Sequence, residues 1–154
     1  MEPGKLELTV VTPHGHLLFT GPDPKTRTPG IVVDEVTAPG ILGEFGALPG
    51  HLPFLTYLKA GALVYRQGNQ IRWLAVRGGL AEVGFDKVIV LADAAELAEE
   101  IDVERAKAAL EKVAERVEAP GILDDPDFLK AQKKHERALM RLAVAEKVKK
   151  QGSR

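Results

Sequence analysis

The stretch KVIVLADAAELAEEIDVERAKAALEKVAERV, residues 87–117, changes its apolar period part-way along. Lys87–Ala92 is a short apolar run of strand length. Asp93–Ile101 is an acidic, Ala-rich connector. Beyond it, Val103, Ala106, Leu110, Val113 and Val117 recur at 3-4-3-4 spacing, which lines one face of a helix with a single packing seam. Asp102 stands where an N-cap belongs. The stretch therefore marks where strands end and helices begin.

Upstream, apolar residues alternate in short runs. Leu6, Leu8 and Val10 point one way and Lys5, Glu7 and Thr9 the other, the period of a half-buried strand. Similar runs follow at Leu17–Thr20, Ile31–Ala38, Phe54–Leu58, Ala62–Arg66, Ile71–Val76 and Leu80–Val83. Gly68-Asn69 between two of them predicts a hairpin turn. Short strands at this spacing, without long helical crossovers, predict an antiparallel sandwich or barrel. Gly21–Gly30, with Pro22, Pro24 and Pro29, reads as an exposed loop.

Downstream, Ala119-Pro120-Gly121 stops the first helix. Asp127 is placed to cap a second, from Phe128 to about Lys150, with Ala131, His135, Ala138, Leu142 and Ala145 at heptad spacing and Leu139 widening the stripe. Two helices joined by a short loop predict an antiparallel hairpin. Its seam of Ala and Val buries little apolar surface, so it should dock on something or move.

Composition separates the same two parts. Residues 1–100 hold 13 of the 15 Gly, 8 of the 10 Pro and 7 of the 8 aromatics, while 101–154 are rich in helix formers. The expectation is an α+β chain: a β-sandwich over 1–100 and a two-helix hairpin over 101–154. The first part carries 8 basic and 12 acidic residues and the second 13 basic and 10 acidic, so charge is segregated although the whole is near neutral at −1. That balance argues against nucleic acid as a partner, because lining up phosphates needs a net basic surface. The absence of cysteine excludes disulfides, thiolate metal sites and Cys nucleophiles. Met1–Lys5 shows no signal-peptide pattern and no stretch has the length of an apolar span, so a soluble protein is expected.

Signals of catalysis are missing. There is no phosphate loop, no GxGxxG, no GxSxG elbow and no HExxH helix. Glu7, His14 and His16 have ligand chemistry, but His-Gly-His in a turn reads as a solvated loop and no metal is expected. Glu44 and His51 flank a Gly/Pro-rich segment and would make an acid–base pair for a small hydrolase only with an activated nucleophile, which the sequence lacks. They read instead as a surface loop that touches a partner, and no catalytic residue is expected.

That loop also carries a family resemblance. Ala38-Pro39-Gly40, Gly43-Glu44-Phe45-Gly46 and Leu48-Pro49-Gly50-His51-x-Pro53-x-Leu55-Thr56 are similar to the signature of the epsilon subunit of F-type rotary ATP synthases. Lys59-Ala60-Gly61, Arg77-Gly78-Gly79-Leu80-Ala81-Glu82-Val83, Val90–Glu96 and Ile101–Ala106 continue it in order, from about Leu6 to Lys147. The Pro22–Gly30 insertion, Leu52, Leu80 and the long Ala119–Pro126 connection depart from the family pattern.

The resemblance implies a non-catalytic subunit of the central stalk, peripheral on the cytoplasmic side of the membrane, coupling proton flow to ATP synthesis. Its sandwich would hold the gamma subunit, and the Glu44/His51 loop would rest on the c-ring. Its helical hairpin would fold down on the sandwich or extend along gamma. Extended, its second helix would meet an acidic segment of the catalytic beta subunits and restrain hydrolysis. Phe128–Arg154 carries 9 basic residues against 2 acids, which suits that partner.

In some relatives the folded hairpin binds ATP through an Ile/Leu-Asp-x-x-Arg-Ala motif and an arginine pair. Ile101, Asp102, Arg105 and Ala106 match the motif, Arg137 and Arg141 match the pair, and Glu96 matches an upstream acid. Lys112 stands where arginine is the better match. The resemblance thus implies ATP as a regulatory ligand, with no cofactor required. Helical spacing is compatible: Asp102, Arg105 and Lys112 share one face, Arg137 and Arg141 another. The plainer reading keeps Asp102 as a cap and the arginines as salt-bridge residues. An alternative whole-chain reading is a free-standing ATP-sensing module of sandwich and hairpin, with no rotary partner.

Overall fold

The structure, a computed structural model, describes residues 4–20, 28–118 and 126–151. It falls into two compact units, 1–96 and 97–154, a division four residues before the 100/101 boundary read from composition.

The first unit is built of strands. They are β1 (Leu6–Thr12), β2 (Gly15–His16), β3 (Phe19–Thr20), β4 (Thr28–Pro29), β5 (Ile31–Val33) and β6 (Glu35–Gly40), then β7 (Gly43–Ala47), β8 (Phe54–Gln67), β9 (Gln70–Val83), β10 (Lys87–Ala92) and β11 (Ala95–Leu97). The main sheet runs β2-β1-β10-β9-β8-β6-β7, with β5 also on β1. The ladders β10–β9, β9–β8, β8–β6 and β6–β7 are antiparallel, whereas β1 and β10 run parallel from Glu7↔Lys87 to Val11↔Leu91. Leu6, Leu8 and Val10 are fully buried, as their alternation requires, and meet Val33, Val36, Leu63, Leu74, Val83, Val88 and Val90 in the core.

The sheet wraps into a sandwich through β8 and β9. Each is one 14-residue strand, where the sequence suggested two shorter runs. In β8 the inward residues are Phe54, Thr56 and Leu58, then Leu63 and Tyr65, so the buried face changes parity around Ala60–Gly61. In β9 Leu74, Val76 and Gly78 give way to Ala81 and Val83, the same change around Gly78–Gly79. This ribbon buries opposite faces in its two halves and so serves both layers. Glycine makes the switch possible: Gly79 has φ +126°, and a Cβ there would lie 2.0 Å from the Leu91 carbonyl oxygen. At the far end Gln67 pairs with Gln70 across Gly68-Asn69, with Gly68 at φ +59° and Asn69 at negative φ. Glycine at the first central position is the signature of a type II′ hairpin turn.

Other expectations change as well. Gly43–Ala47 is an edge strand paired with β6 rather than a loop, and Ala47 is fully buried. Of the segment read as the loop Gly21–Gly30, residues 21–27 lie outside the described residues, while Thr28–Pro29 pairs with Phe19–Thr20. The second helix starts at Pro126, not Phe128. Proline suits the first helical turn because its missing N–H would have no partner there. Asp127 is therefore inside the helix, paired to Lys130 at 3.6 Å, and does not cap it.

The second unit has a short 3-10 turn, Ala98–Glu100, and two helices, α1 (Val103–Glu118) and α2 (Pro126–Gln151). Connected by seven residues, they pack as an antiparallel hairpin. Asp102 caps α1: its Oδ1 accepts the backbone N–H of Arg105 at 2.9 Å, and its carbonyl accepts the N–H of Ala106 at 3.0 Å. Ala106, Ala131, Ala138 and Ala145 are buried, as the stripes predict. Leu139 is not in the seam but 45% exposed, because it lies one position round the helix from Ala138.

Candidate functional site

The hairpin carries a groove of about 380 Å³ between its own helices. Arg105, Ala109, Lys112 and Val113 line it from α1, at i, i+4, i+7 and i+8 on one helix face. Lys134, Arg137, Ala138 and Arg141 line it from α2, at i, i+3, i+4 and i+7. Among the described residues, five cations thus face one concavity and no carboxylate side chain lines it. Two ion pairs of the hairpin, Lys107–Glu104 (3.4 Å) and Lys130–Asp127 (3.6 Å), stay within one helix. Like charges gathered in this way repel one another, and an anion of several charges would relieve the repulsion.

Of the residues implicated in ATP binding, Arg105, Lys112, Arg137 and Arg141 come together here. Ile101, Asp102 and Ala106 do not line the groove: Ile101 and Ala106 are buried, and the Asp102 carboxylate is engaged in the helix cap. Glu96 belongs to the first unit. Lys134 and the apolar pair Ala109 and Val113 were missed by sequence reasoning. The available signal was spacing, since Lys134, Arg137 and Arg141 repeat at i, i+3 and i+7.

The other candidate pair separates. Phe45 packs edge-on against Phe54 with ring centroids 5.0 Å apart, and the His51 ring lies 5.2 Å from the same Phe54. His51 Nδ1 is 2.8 Å from the Leu52 carbonyl oxygen. Glu44 precedes Phe45 on β7 and so points to the opposite strand face, exposed, away from that aromatic cluster. No hydrogen bond or ion pair joins Glu44 to His51, and the acid–base pair of a hydrolase is not formed. Pro53, Phe54, Leu55, Val83 and Phe85 line an open concavity of about 550 Å³ beside the loop. At the β6–β7 turn, Leu42 is 97% exposed. His14 donates its backbone N–H to Thr12 Oγ1 at 3.2 Å within the Thr12–Gly15 turn. Among the described residues, no three His, Cys, Asp or Glu side chains gather as a metal site.

The model for the ATP synthase Delta/Epsilon chain beta-sandwich domain matches residues 25–98, and that for the long alpha-helix domain of the same chain matches 99–146. An ATP synthase epsilon chain of Syntrophobacter fumaroxidans is 47% identical over 143 residues, covering 93% of this chain and 97% of the relative. The chain belongs to the ATP synthase epsilon family. A further epsilon chain, of Geobacter sulfurreducens, is 46% identical over 93% of this chain and 95% of its own length. Among solved structures, a chain of the Euglena gracilis mitochondrial ATP synthase shares the fold, with a TM-score of 0.72 at 24% identity over 92% of this chain and 81% of that one.

Within the epsilon family frame the two units keep distinct chemistry. The sandwich unit offers exposed apolar side chains at a turn and an open concavity, which suit contact with other proteins. The hairpin unit offers concentrated positive charge. No described helix is long and apolar enough to cross a membrane.

Proposed function

We propose that this chain is the non-catalytic epsilon subunit of a proton-translocating ATP synthase, placed in the central stalk and peripheral to the membrane on its cytoplasmic side. Its sandwich binds gamma and rests on the c-ring, coupling proton flow to ATP synthesis. Its hairpin binds ATP as a regulatory ligand when closed. When extended, α2 engages an acidic segment of the beta subunits and restrains hydrolysis.

The observation that carries the regulatory part is the convergence of Arg105, Lys112, Arg137 and Arg141 on one groove. Guanidinium groups match phosphate oxygens with paired N–H donors, and several such groups on two helices tie the helices together through one ligand. An anion held there favours the closed hairpin, whose Ala-rich seam buries little surface by itself. The same basic residues are available to an acidic protein partner once the helices part, so ligand and partner compete for one set of charges.

For the sandwich, support comes from apolar side chains left exposed, Leu42 at the β6–β7 turn and Leu55 and Tyr57 on β8. The test is co-expression with gamma. The epsilon reading expects a stable complex that retains the chain through gel filtration. A chain that elutes alone, yet melts at a higher temperature with ATP, would instead support the free-standing sensor.

A further inference from the structure

We propose that His51 is a proton-reading contact of the sandwich: its neutral imidazole offers one acceptor, Nε2, to a hydrogen-bond donor on the c-ring, and protonation withdraws it. The inference rests on the c-ring reading of this edge and deepens it by naming the chemistry of one contact.

The loop that carries His51 is fixed at several points. The Gly50 backbone N–H donates to the Phe85 carbonyl at 2.7 Å, which ties the loop to the β9–β10 turn. The His51 backbone N–H donates to the Leu48 carbonyl at 3.0 Å and closes a tight turn. The imidazole lies against Phe54, which itself packs on Phe45.

Those contacts decide what each ring nitrogen does. Nδ1 is 2.8 Å from the Leu52 carbonyl oxygen. A carbonyl oxygen only accepts, so Nδ1 carries the proton of the neutral ring and donates it. Nε2 is then a bare lone pair. It has no hydrogen-bond partner among the described residues, and it is open to solvent rather than buried. The charged groups on the neighbouring elements are Glu44 on β7 and Glu82, Asp86 and Lys87 about the β9–β10 turn. Lys87 pairs with Glu82 at 3.6 Å, Glu44 points to the opposite strand face, and none of the four bonds to the imidazole. Nε2 is the atom left to take a proton.

Protonation changes the role of that one atom and moves nothing else. Nδ1 keeps its bond to Leu52, and the Phe54 ring favours a cation beside it. A donor that Nε2 had accepted from would face a second donor and a positive charge. Histidine makes this change between about pH 8 and pH 5, so the contact is present at the upper end and lost towards the lower.

Two measurements test this. Nitrogen NMR of the full chain should show the neutral His51 ring with its proton on Nδ1; a proton on Nε2 would overturn the proposal. The second is ATP-driven proton pumping per ATP hydrolysed, in the synthase reconstituted into lipid vesicles, at about pH 8 and about pH 6. The wild-type ratio should fall by at least about twofold at the lower pH, a modest readout for one lost hydrogen bond. His51→Gln, whose amide accepts but does not titrate, should couple less well than the wild type yet change by less than about 1.5-fold between the two values. His51→Ala should couple poorly at both. Wild type and His51→Gln falling in parallel would place the proton effect elsewhere and overturn the proposal. A wild-type ratio equal at both values, with His51→Ala low throughout, would overturn the proton reading and leave the c-ring contact standing. His51→Ala pumping like the wild type at both would overturn the contact, and the proposal with it.

Discussion

The carboxylate of Asp102 accepts the backbone N–H of Arg105 at 2.9 Å, so the residue that matches a nucleotide motif is also the N-cap of α1. The cap fixes the first turn from which the Arg105 side chain reaches the groove. Two roles for Asp102 then make different predictions. If it acts by capping, Asp102→Asn keeps the acceptor and should change ATP affinity by less than about threefold, while Asp102→Ala should destabilise the hairpin by about 1 kcal/mol. Thermal melting and calorimetry on both variants check this; Asp102→Asn losing ATP while the helix stays intact would assign the carboxylate to the ligand.

Asp34 ties three parts of the sandwich together. It pairs with Lys5 ahead of β1, accepts the Gly68 backbone N–H at 2.6 Å at the β8–β9 turn, and lies 3.7 Å from Arg66. The hydrogen bond from Lys5, then that from Gly68, holds its carboxyl below the usual range. A carboxyl lowered on folding adds stability above its unfolded value and loses it as the proton returns. The contribution should be whole above about pH 5 and disappear as the pH falls below about 4, through the lowered folded value. Asp34→Asn should flatten the acid limb of the stability curve in urea titrations across that range and leave the chain less stable at neutral pH.

Two glycines separate backbone need from mere presence. Gly79 has φ +126° and no room for a Cβ, since the Leu91 carbonyl oxygen would lie 2.0 Å away. Gly46 has no positive φ and nothing within 4 Å of its Cβ position. Gly79→Ala should cost more than about 2 kcal/mol, combining strain with displacement of β10, whereas Gly46→Ala should lie within about 0.5 kcal/mol of the wild type. Urea denaturation at neutral pH reads both.

The sequence disclosed what depends on local period. Leu6, Leu8 and Val10 declare a strand face by alternation, and Val103, Ala106 and Leu110 declare a helix face by their spacing. Asp102 marks the boundary by its own chemistry. What it concealed depends on distant partners. Gly43–Ala47 holds two glycines and an acid, all poor in strands, and becomes a strand because β6 pairs with it. Gly61, Gly78 and Gly79 look like breaks in β8 and β9, yet they mark where continuous strands change their buried face. In the site, Arg105, Arg137 and Arg141 were legible through a motif. Lys134 was one of many cations on its helix, and only the facing helix shows that it joins them.

Strand β7, which carries Glu44, and the loop after it, which carries His51, are tested by point changes, because residues 43–47 are sheet and Ala47 is core. Glu44→Gln and His51→Ala should leave the sandwich folded, with a melting temperature within about 2 °C of the wild type, since neither side chain belongs to the core. If this edge of the sandwich rests on the c-ring, the pair should lower proton pumping in reconstituted membranes. Unchanged pumping would take both residues off that interface.

The measurement that bears most directly on the regulatory reading is titration of ATP into the isolated full-length chain, wild type against Arg105→Ala. Charge-assisted contacts to phosphate contribute about 1.5–3 kcal/mol each, so the variant should bind about tenfold to a hundredfold more weakly. ATP should raise the melting temperature of the wild type, and the variant should lose most of that rise. A wild-type chain that takes up no ATP at millimolar concentration, with a melting temperature indifferent to it, would contradict the account and leave Arg105, Arg137 and Arg141 as surface charges of a helical hairpin.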